Sequence, residues 1–196
     1  MSDNKKKHHL IFEGAELVGK SFLISQIYNQ LEKEQHTHPK ILDGCHWFNC
    51  DLGFFGTNHT KKIINEYVDI LKILKSKNTI FEKFHLSDIV YNQIYNHKKI
   101  NYIAQEKVLA KLSAKLILVT VNKESVFAER IADRLRNVPH YKRIAQSPAD
   151  YWQMQEKYLE VYHNSKLPKL IVDCSYPLNK NFVRQQVKKI SSFINS

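Results

Sequence analysis

Residues 8–12 form a short apolar run that stops at a glycine, the pattern of a strand ending in a turn. From Lys20 the period changes. Phe22, Leu23, Ile27 and Leu31 fall on one side of a helix, which Pro39 and its neighbours bring to an end. Residues 40–42 predict a brief second strand that opens into an irregular stretch over 43–57. Thr60 begins an amphipathic helix, with Ile63, Ile64, Tyr67, Val68, Leu71 and Leu74 at helical spacing. Residues 79–84 (TIFEKF) read as a strand, and 87–95 and 102–112 as helices. The continuous apolar run AKLILVTV over 114–121 has strand length and suits a strand covered on both faces. Residues 124–136 are helical, Ser147 or Asp150 caps a further helix reaching about His163, and 170–174 predict a fifth strand. Asn179 begins the closing helix.

This alternation is the signature of an α/β fold, a parallel sheet with helices on both faces. Ligands of such sheets bind beyond the carboxyl ends of the strands. Three polar segments fall there: residues 14–21, residues 82–87, and the stretch from Asn122 onward.

Composition narrows the function classes. The 196 residues are 43% hydrophobic and carry no repeat or Pro/Gly/Ser-rich linker, so one domain over 1–196 is expected. No apolar run approaches the roughly 18 residues that span a bilayer. No apolar block of signal-peptide length follows the polar, basic start, and a cytoplasmic location is expected. Cys45, Cys50 and Cys174 form an odd, sparse set that suits a reducing compartment. Cys45 and Cys50 lie near His46 and His59 but lack the paired spacing of zinc sites. The net charge of +11 draws anions. It fits a phosphorylated substrate without requiring a polynucleotide.

The eight residues Gly14, Ala15, Glu16, Leu17, Val18, Gly19, Lys20 and Ser21 spell G-x-x-x-x-G-K-[ST]. Glycines let successive N–H groups curl inward into an anion nest, and the helix that follows adds its positive dipole end. Lys20 supplies a charge to the β- and γ-phosphates of a nucleotide, and the Ser21 hydroxyl can ligate Mg²⁺.

Two further segments complete the candidate site. At the end of the third strand, Glu82 can accept a proton from an attacking hydroxyl or hold Mg²⁺ through water, and Lys83 can contact a phosphate. Beyond the fourth strand, Arg130 and Arg134 are four apart and share a helical face, so both can point at one anion. Arg136 lies on another face unless the helix ends first. Such arginines can neutralise charge that builds up in a transition state.

With these residues in view, the chain resembles the thymidylate kinase and deoxynucleoside kinase superfamily of P-loop kinases. Residues 13–21 resemble its E-G-x-x-x-x-G-K-S loop. FEKFHLSDIVY (81–91) is similar to the thymidylate kinase segment of an acidic residue, Arg, an aromatic and a later Ser. R-I-x-x-R-x-R (130–136), with YLEVY (158–162), resembles the lid arginines and next helix of deoxynucleoside kinases. The resemblance implies a three-layer fold with a five-stranded parallel sheet and an arginine lid over about 123–147. It implies ATP and Mg²⁺, with Arg136 joining the loop in nucleotide binding, and phosphoryl transfer to a nucleoside or nucleoside monophosphate. Ser87 and Lys83, and more weakly Asp43 and Trp47, are the expected acceptor contacts. The sequence departs from the family at Lys83, where the family has an arginine able to fork onto an anion, and at Phe22, which replaces a second hydroxyl.

A GTPase is disfavoured: Asn122-Lys123-Glu124-Ser125 echoes N-K-x-D but lacks the aspartate that reads guanine. A kinase for another hydroxyl, such as a polynucleotide end, and a nucleotide-binding module without transfer stay open. The expected partner is a small nucleotide or nucleoside acceptor and not a membrane; a homodimer is left open. The FEKFHLS segment leans toward a monophosphate acceptor and the arginine helix toward a nucleoside, with the monophosphate slightly favoured.

Overall fold

In the computed structural model, which describes residues 6–51, 53–175 and 180–196, five strands build one sheet. They are β1 (His9–Glu13), β2 (Cys45–Asn49), β3 (Asn78–Glu82), β4 (Ala114–Thr120) and β5 (Lys169–Asp173). The order is β2-β3-β1-β4-β5 and every pairing is parallel. Seven α-helices lie among the described residues: α1 (Lys20–Gln35), α2 (Thr60–Ile73), α3 (His85–Tyr95), α4 (Ile103–Lys111), α5 (Ser125–Asn137), α6 (Pro148–Asn164) and α7 (Lys180–Asn195). A short 3₁₀ helix, Pro139–Arg143, links α5 to α6. The expected start of the last helix at Asn179 lies outside the described residues.

Helices cover the sheet on both faces, giving three layers. On one side α1 packs on β1, β2 and β3, and α7 on β5 and α1. On the other, α4 and α6 pack on β4, with α2 against α4 and α3 and α5 against α6. Parallel strands sheathed in this way are apolar on both faces, and β1 and β3 are buried along their whole length.

The second strand is the main correction to the sequence reading. Residues 40–42 form no strand, and Ile41 and Leu42 are exposed. β2 lies instead at Cys45–Asn49, inside the stretch expected to be irregular. The cause is long-range. The Glu32 carboxylate on α1 accepts from the backbone N–H of Asp43 at 3.1 Å, Gly44 at 2.9 Å and Cys45 at 2.8 Å. Asp43 is itself tied to the backbone and hydroxyl of Thr37. A Cβ at Gly44 would stand 2.5 Å from the Glu32 carbonyl, so this close passage admits glycine alone. The chain thus enters the sheet only at Cys45, opposite Asn78. As an edge strand β2 is half-exposed, which blurs the apolar run that marks the central strands.

The start of α6 uses both candidate caps at once. The Ser147 hydroxyl accepts from the Asp150 N–H at 3.2 Å, and the Asp150 carboxylate accepts from the Ser147 N–H at 3.0 Å.

Candidate active site

The strand order puts the carboxyl ends of β2, β3 and β1 side by side, and the residues that follow them meet. Between β1 and α1 runs the glycine loop. Gly14 has φ +138°, and a Cβ there would lie 2.3 Å from the Val119 carbonyl of β4, so the turn requires glycine. Gly19 is the N-cap of α1 in the left-handed conformation. Lys20 is buried, and its Nζ donates to the carbonyls of Gly14 at 2.8 Å and Ala15 at 2.6 Å. Burial, and next the charge of Lys83, push its pKa down to about 7, against the partial opposition of Glu82, Glu16 and Glu13.

At the end of β3 stands Glu82. Its Oε1 accepts from the Ser21 hydroxyl at 2.5 Å, while its buried Oε2 has no hydrogen-bond partner among the described residues. A hydroxyl and a carboxylate with an unsatisfied oxygen are the hard oxygen donors that Mg²⁺ takes, so Ser21 and Glu82 fit that ion.

Lys83 follows in the left-handed conformation (φ +55°), unusual for a residue with a side chain and the sort of backbone strain that gathers at functional sites. It does not pair with Glu82. Its Nζ contacts Glu16 of the loop at 3.3 Å and the carboxylate of Asp51, just past β2. Burial works to lower its pKa, but Tyr91, Glu16 and Asp51 outweigh that and hold it above the ordinary lysine value. Glu16 also accepts from the Tyr91 hydroxyl at 3.3 Å, so one loop carboxylate ties the nest to α3.

Ser87, expected at the acceptor, is fully buried elsewhere. Its hydroxyl donates to Glu13 Oε2 at 2.6 Å and lies 2.8 Å from the Tyr158 hydroxyl. Glu13 Oε1 accepts from the N–H groups of Phe84 at 3.0 Å, Leu86 at 2.9 Å and Ser87 at 3.3 Å. This carboxylate therefore caps α3 across the sheet, although its burial raises its pKa. Asp43 and Trp47 are not brought to the site either. Asp43 precedes β2, at the amino end of that strand and away from the carboxyl ends where the site lies. Trp47 points out of β2 beside Tyr28 of α1.

The three arginines diverge. Arg130 is half-buried, and its guanidinium donates to the Leu17 carbonyl at 2.5 Å and to the Cys174 carbonyl, joining the loop to the end of β5. Arg134 stands over the Tyr141 ring at 5.8 Å. It lines both of two adjoining cavities, of about 370 and 360 Å³, that share Leu17, Lys20 and Ser21. The first continues along Gly19 and Arg130; the second holds Glu16, Asp51, Glu82, Lys83 and Tyr141. Arg136 is exposed and lines neither cavity; it pairs with Asp133, at the border of the first, at 3.4 Å.

Sequence reasoning thus brought together Lys20, Ser21, Glu82, Lys83 and Arg134, and it missed Asp51 and the dual contacts of Glu16. Asp51 stands past the end of β2 much as Lys83 stands past β3, so a correctly placed second strand was the signal that would have found it.

No protein-family model matches the chain, and no curated protein matches it by sequence. Solved structures do match. The chain is similar to the YorR protein of Bacillus subtilis, solved in complex with phosphorylated GDP: TM-score 0.63, 18% identity, 93% of this chain and 95% of that one covered. It is similar to deoxyadenosine kinase from M. mycoides with products dCMP and dCDP bound, at TM-score 0.57 and 14% identity, covering 95% and 98%. It is similar to thymidylate kinase from Ehrlichia chaffeensis at TM-score 0.53 and 12% identity, again covering 95% and 98%. The fold is therefore that of the P-loop nucleoside and nucleotide kinases. No helix among the described residues is long and apolar enough to cross a membrane.

Proposed function

We propose that this chain transfers the γ-phosphoryl group of ATP to the uncharged hydroxyl of a nucleoside. The observation that carries this reading is the contrast between neighbours at the end of β3. Glu82 keeps a buried oxygen without a partner, whereas Lys83 is already clamped between two carboxylates. A neutral hydroxyl needs a base, and Glu82 is placed to be one. A monophosphate needs cations, and would arrive beside Glu16, Asp51 and Glu82 with its own negative charge. The sequence leaned slightly to the monophosphate; the surroundings of Lys83 favour the nucleoside.

In this reading the loop N–H groups and Lys20 bind the β- and γ-phosphates. Contact with the polyphosphate favours the charged form of Lys20, so its pKa rises on binding. Ser21 would hold Mg²⁺, with Glu82 reaching it through water, and the ion when bound would supply neutralisation of the phosphate oxygens. Glu82 takes the hydroxyl proton as the acceptor oxygen bonds to the γ-phosphorus, and the bond from that phosphorus to the bridging oxygen breaks, releasing ADP. Arg134, set between the two cavities, screens the charge on the transferring group. Residues 123–147, which carry the arginines and the 3₁₀ helix, act as the lid. Arg130, bonded to loop and β5, fixes the nest in place.

The deciding experiment is ATP consumption against a panel of nucleosides and their 5′-monophosphates, with Lys20→Ala as the control. Nucleosides should be preferred in kcat/KM by about tenfold or more, because a monophosphate leaves carboxylates facing an anion. Preference for monophosphates would restore the alternative acceptor. An active, folded Lys20→Ala would remove the mechanism altogether.

A further inference from the structure

α5 ends at Asn137, and the chain turns back at once. The Val138 N–H donates to the Arg134 carbonyl at 2.8 Å, and the 3₁₀ helix Pro139–Arg143 follows. This turn returns Tyr141 to the residue it left seven positions earlier. Tyr141 is buried, and the centre of its ring lies 5.8 Å from the Arg134 guanidinium. Both residues line the catalytic cleft.

The support of Tyr141 comes from α6. Its hydroxyl lies 2.6 Å from the Tyr151 hydroxyl in a buried pair, one donating and the other accepting. The Tyr151 ring in turn stacks on Phe127 of α5, with centres 5.7 Å apart and planes 24° apart. Phe127 and Tyr151 are fully buried. Phe127 and Arg134 are seven apart on α5 and so share a face of that helix. The circuit is closed: Arg134 meets Tyr141, Tyr141 meets Tyr151, Tyr151 meets Phe127, and α5 carries Phe127 back to Arg134. The N–H groups of Ile144 and Ala145 both donate to the Tyr141 carbonyl, at 3.0 and 2.9 Å, which fixes its backbone as well.

Arg134 is otherwise unencumbered. It is exposed, and it has no hydrogen bond or ion pair among the described residues; the neighbouring Asp133 pairs with Arg136. A long exposed side chain samples many rotamers, and fixing one of them costs entropy. A carboxylate partner would restrain Arg134 but would compete with a phosphate for it. An aromatic face within about 6 Å attracts a guanidinium through the ring quadrupole. It takes up none of the five N–H donors that an anion needs.

We propose that Tyr141 is a positioning residue for phosphoryl transfer and acts through Arg134. The buried tyrosine pair holds a ring face in the wall of the cleft. The guanidinium rests on it before substrate arrives, with its donors free for the transferring group. This inference rests on the reading of Arg134 as the charge that screens that group.

The test is a mutant cycle on the full chain. Tyr141→Leu removes the ring and should lower kcat about tenfold, the effect of a misplaced charge, with KM for ATP within about twofold. Tyr141→Phe keeps the ring and should lose only about threefold. Added to Arg134→Ala, Tyr141→Leu should cost nothing further, because both act on one interaction. Additive losses, or a Phe variant as impaired as the Leu variant, would assign Tyr141 a merely structural role and overturn the proposal. A second readout needs no acceptor: binding of Mg-ADP with aluminium fluoride, a stand-in for the transferring group, against Mg-ADP alone, by calorimetry. Tyr141→Leu should weaken the first about tenfold and the second less than about twofold. Equal weakening of both would also overturn the proposal. Should no nucleoside be phosphorylated, the kinase reading fails, and this cycle still decides whether Tyr141 and Arg134 are coupled. A third measurement covers a Tyr141→Leu chain that does not fold. In the free wild-type protein with labelled arginine δ-carbons, the Arg134 signal, assigned by its loss in Arg134→Ala, should be displaced by the tyrosine ring. A signal at the position of an unstructured arginine would show that nothing holds the side chain and would end the proposal.

Discussion

The ends of β1 and β3 each carry a buried glutamate, and the two are used in opposite ways. Glu13 has both oxygens engaged, one by three backbone N–H groups and one by a hydroxyl, and so fastens α3 to the sheet. Glu82 has one oxygen held by Ser21 and the other without a partner. A carboxylate whose lone pairs are all taken is a strut; one that keeps a lone pair in a site of low dielectric is available to take a proton or a metal. Residue type and position alone do not separate these roles, since both glutamates close a buried strand beside the glycine loop.

The same substitution should therefore have opposite outcomes at the two sites. Glu82→Gln should lower kcat by about 10²–10⁴-fold, the range of a lost general base, with the thermal midpoint nearly unchanged. The loss should be far larger on a nucleoside than on its monophosphate, and steady-state kinetics on both would show it. Equal losses would assign Glu82 to metal positioning. Glu13→Gln should be tolerated, because the amide oxygen still accepts the three N–H groups and the amide nitrogen can donate to Ser87. Glu13→Leu strands those donors and should cost about 3 kcal/mol, roughly 6–12 °C in midpoint, measured by thermal unfolding.

The arginines repeat the contrast along α5. Arg134→Ala should reduce kcat/KM by about 10²-fold, as for a lost charge at the transferring group.

Lys20 carries it into pH. Its folded pKa of about 7 lies below the ordinary lysine value of 10.5, so between the two the unfolded chain binds more protons and stability rises with pH. A bound polyphosphate reverses the preference. At pH 8, Mg-ATP binding should take up close to one proton, read by calorimetry in buffers of different ionisation enthalpy, and affinity should fall by up to about tenfold per pH unit above 8. Binding that releases protons would contradict the assignment.

The smallest effect is expected at Arg136, whose Ala variant should change activity by less than about twofold, since an exposed pair with Asp133 contributes little.

Much of this was legible along the chain. The glycine loop and the arginine pair depend on spacing within one turn or one helix, which sequence carries directly. The central strands are apolar on both faces and announce themselves, as AKLILVTV does at β4. The edge strand β2 does not, because half of its residues face solvent and its start is fixed by Glu32, eleven to thirteen positions away. Starting it five residues early, at 40 and not at Cys45, hid Asp51 and led to Asp43 and Trp47 in its stead. Ser87 was misread for a related reason: a serine near a strand end suggests a site, and only the approach of Glu13 and Tyr158 makes it interior.

The sequence by itself determined the glycine loop, the lysine and hydroxyl that follow it, and the alternation that makes a parallel sheet. Those features are set by backbone angles and by the period of apolar residues, both local properties. The tertiary structure alone decided that residues 16, 51 and 83 form one charged cluster and that Glu82 keeps an oxygen free where Glu13 does not. The strand order β2-β3-β1 brings distant ends together, and which lone pairs remain unpaired depends on every group that arrives there.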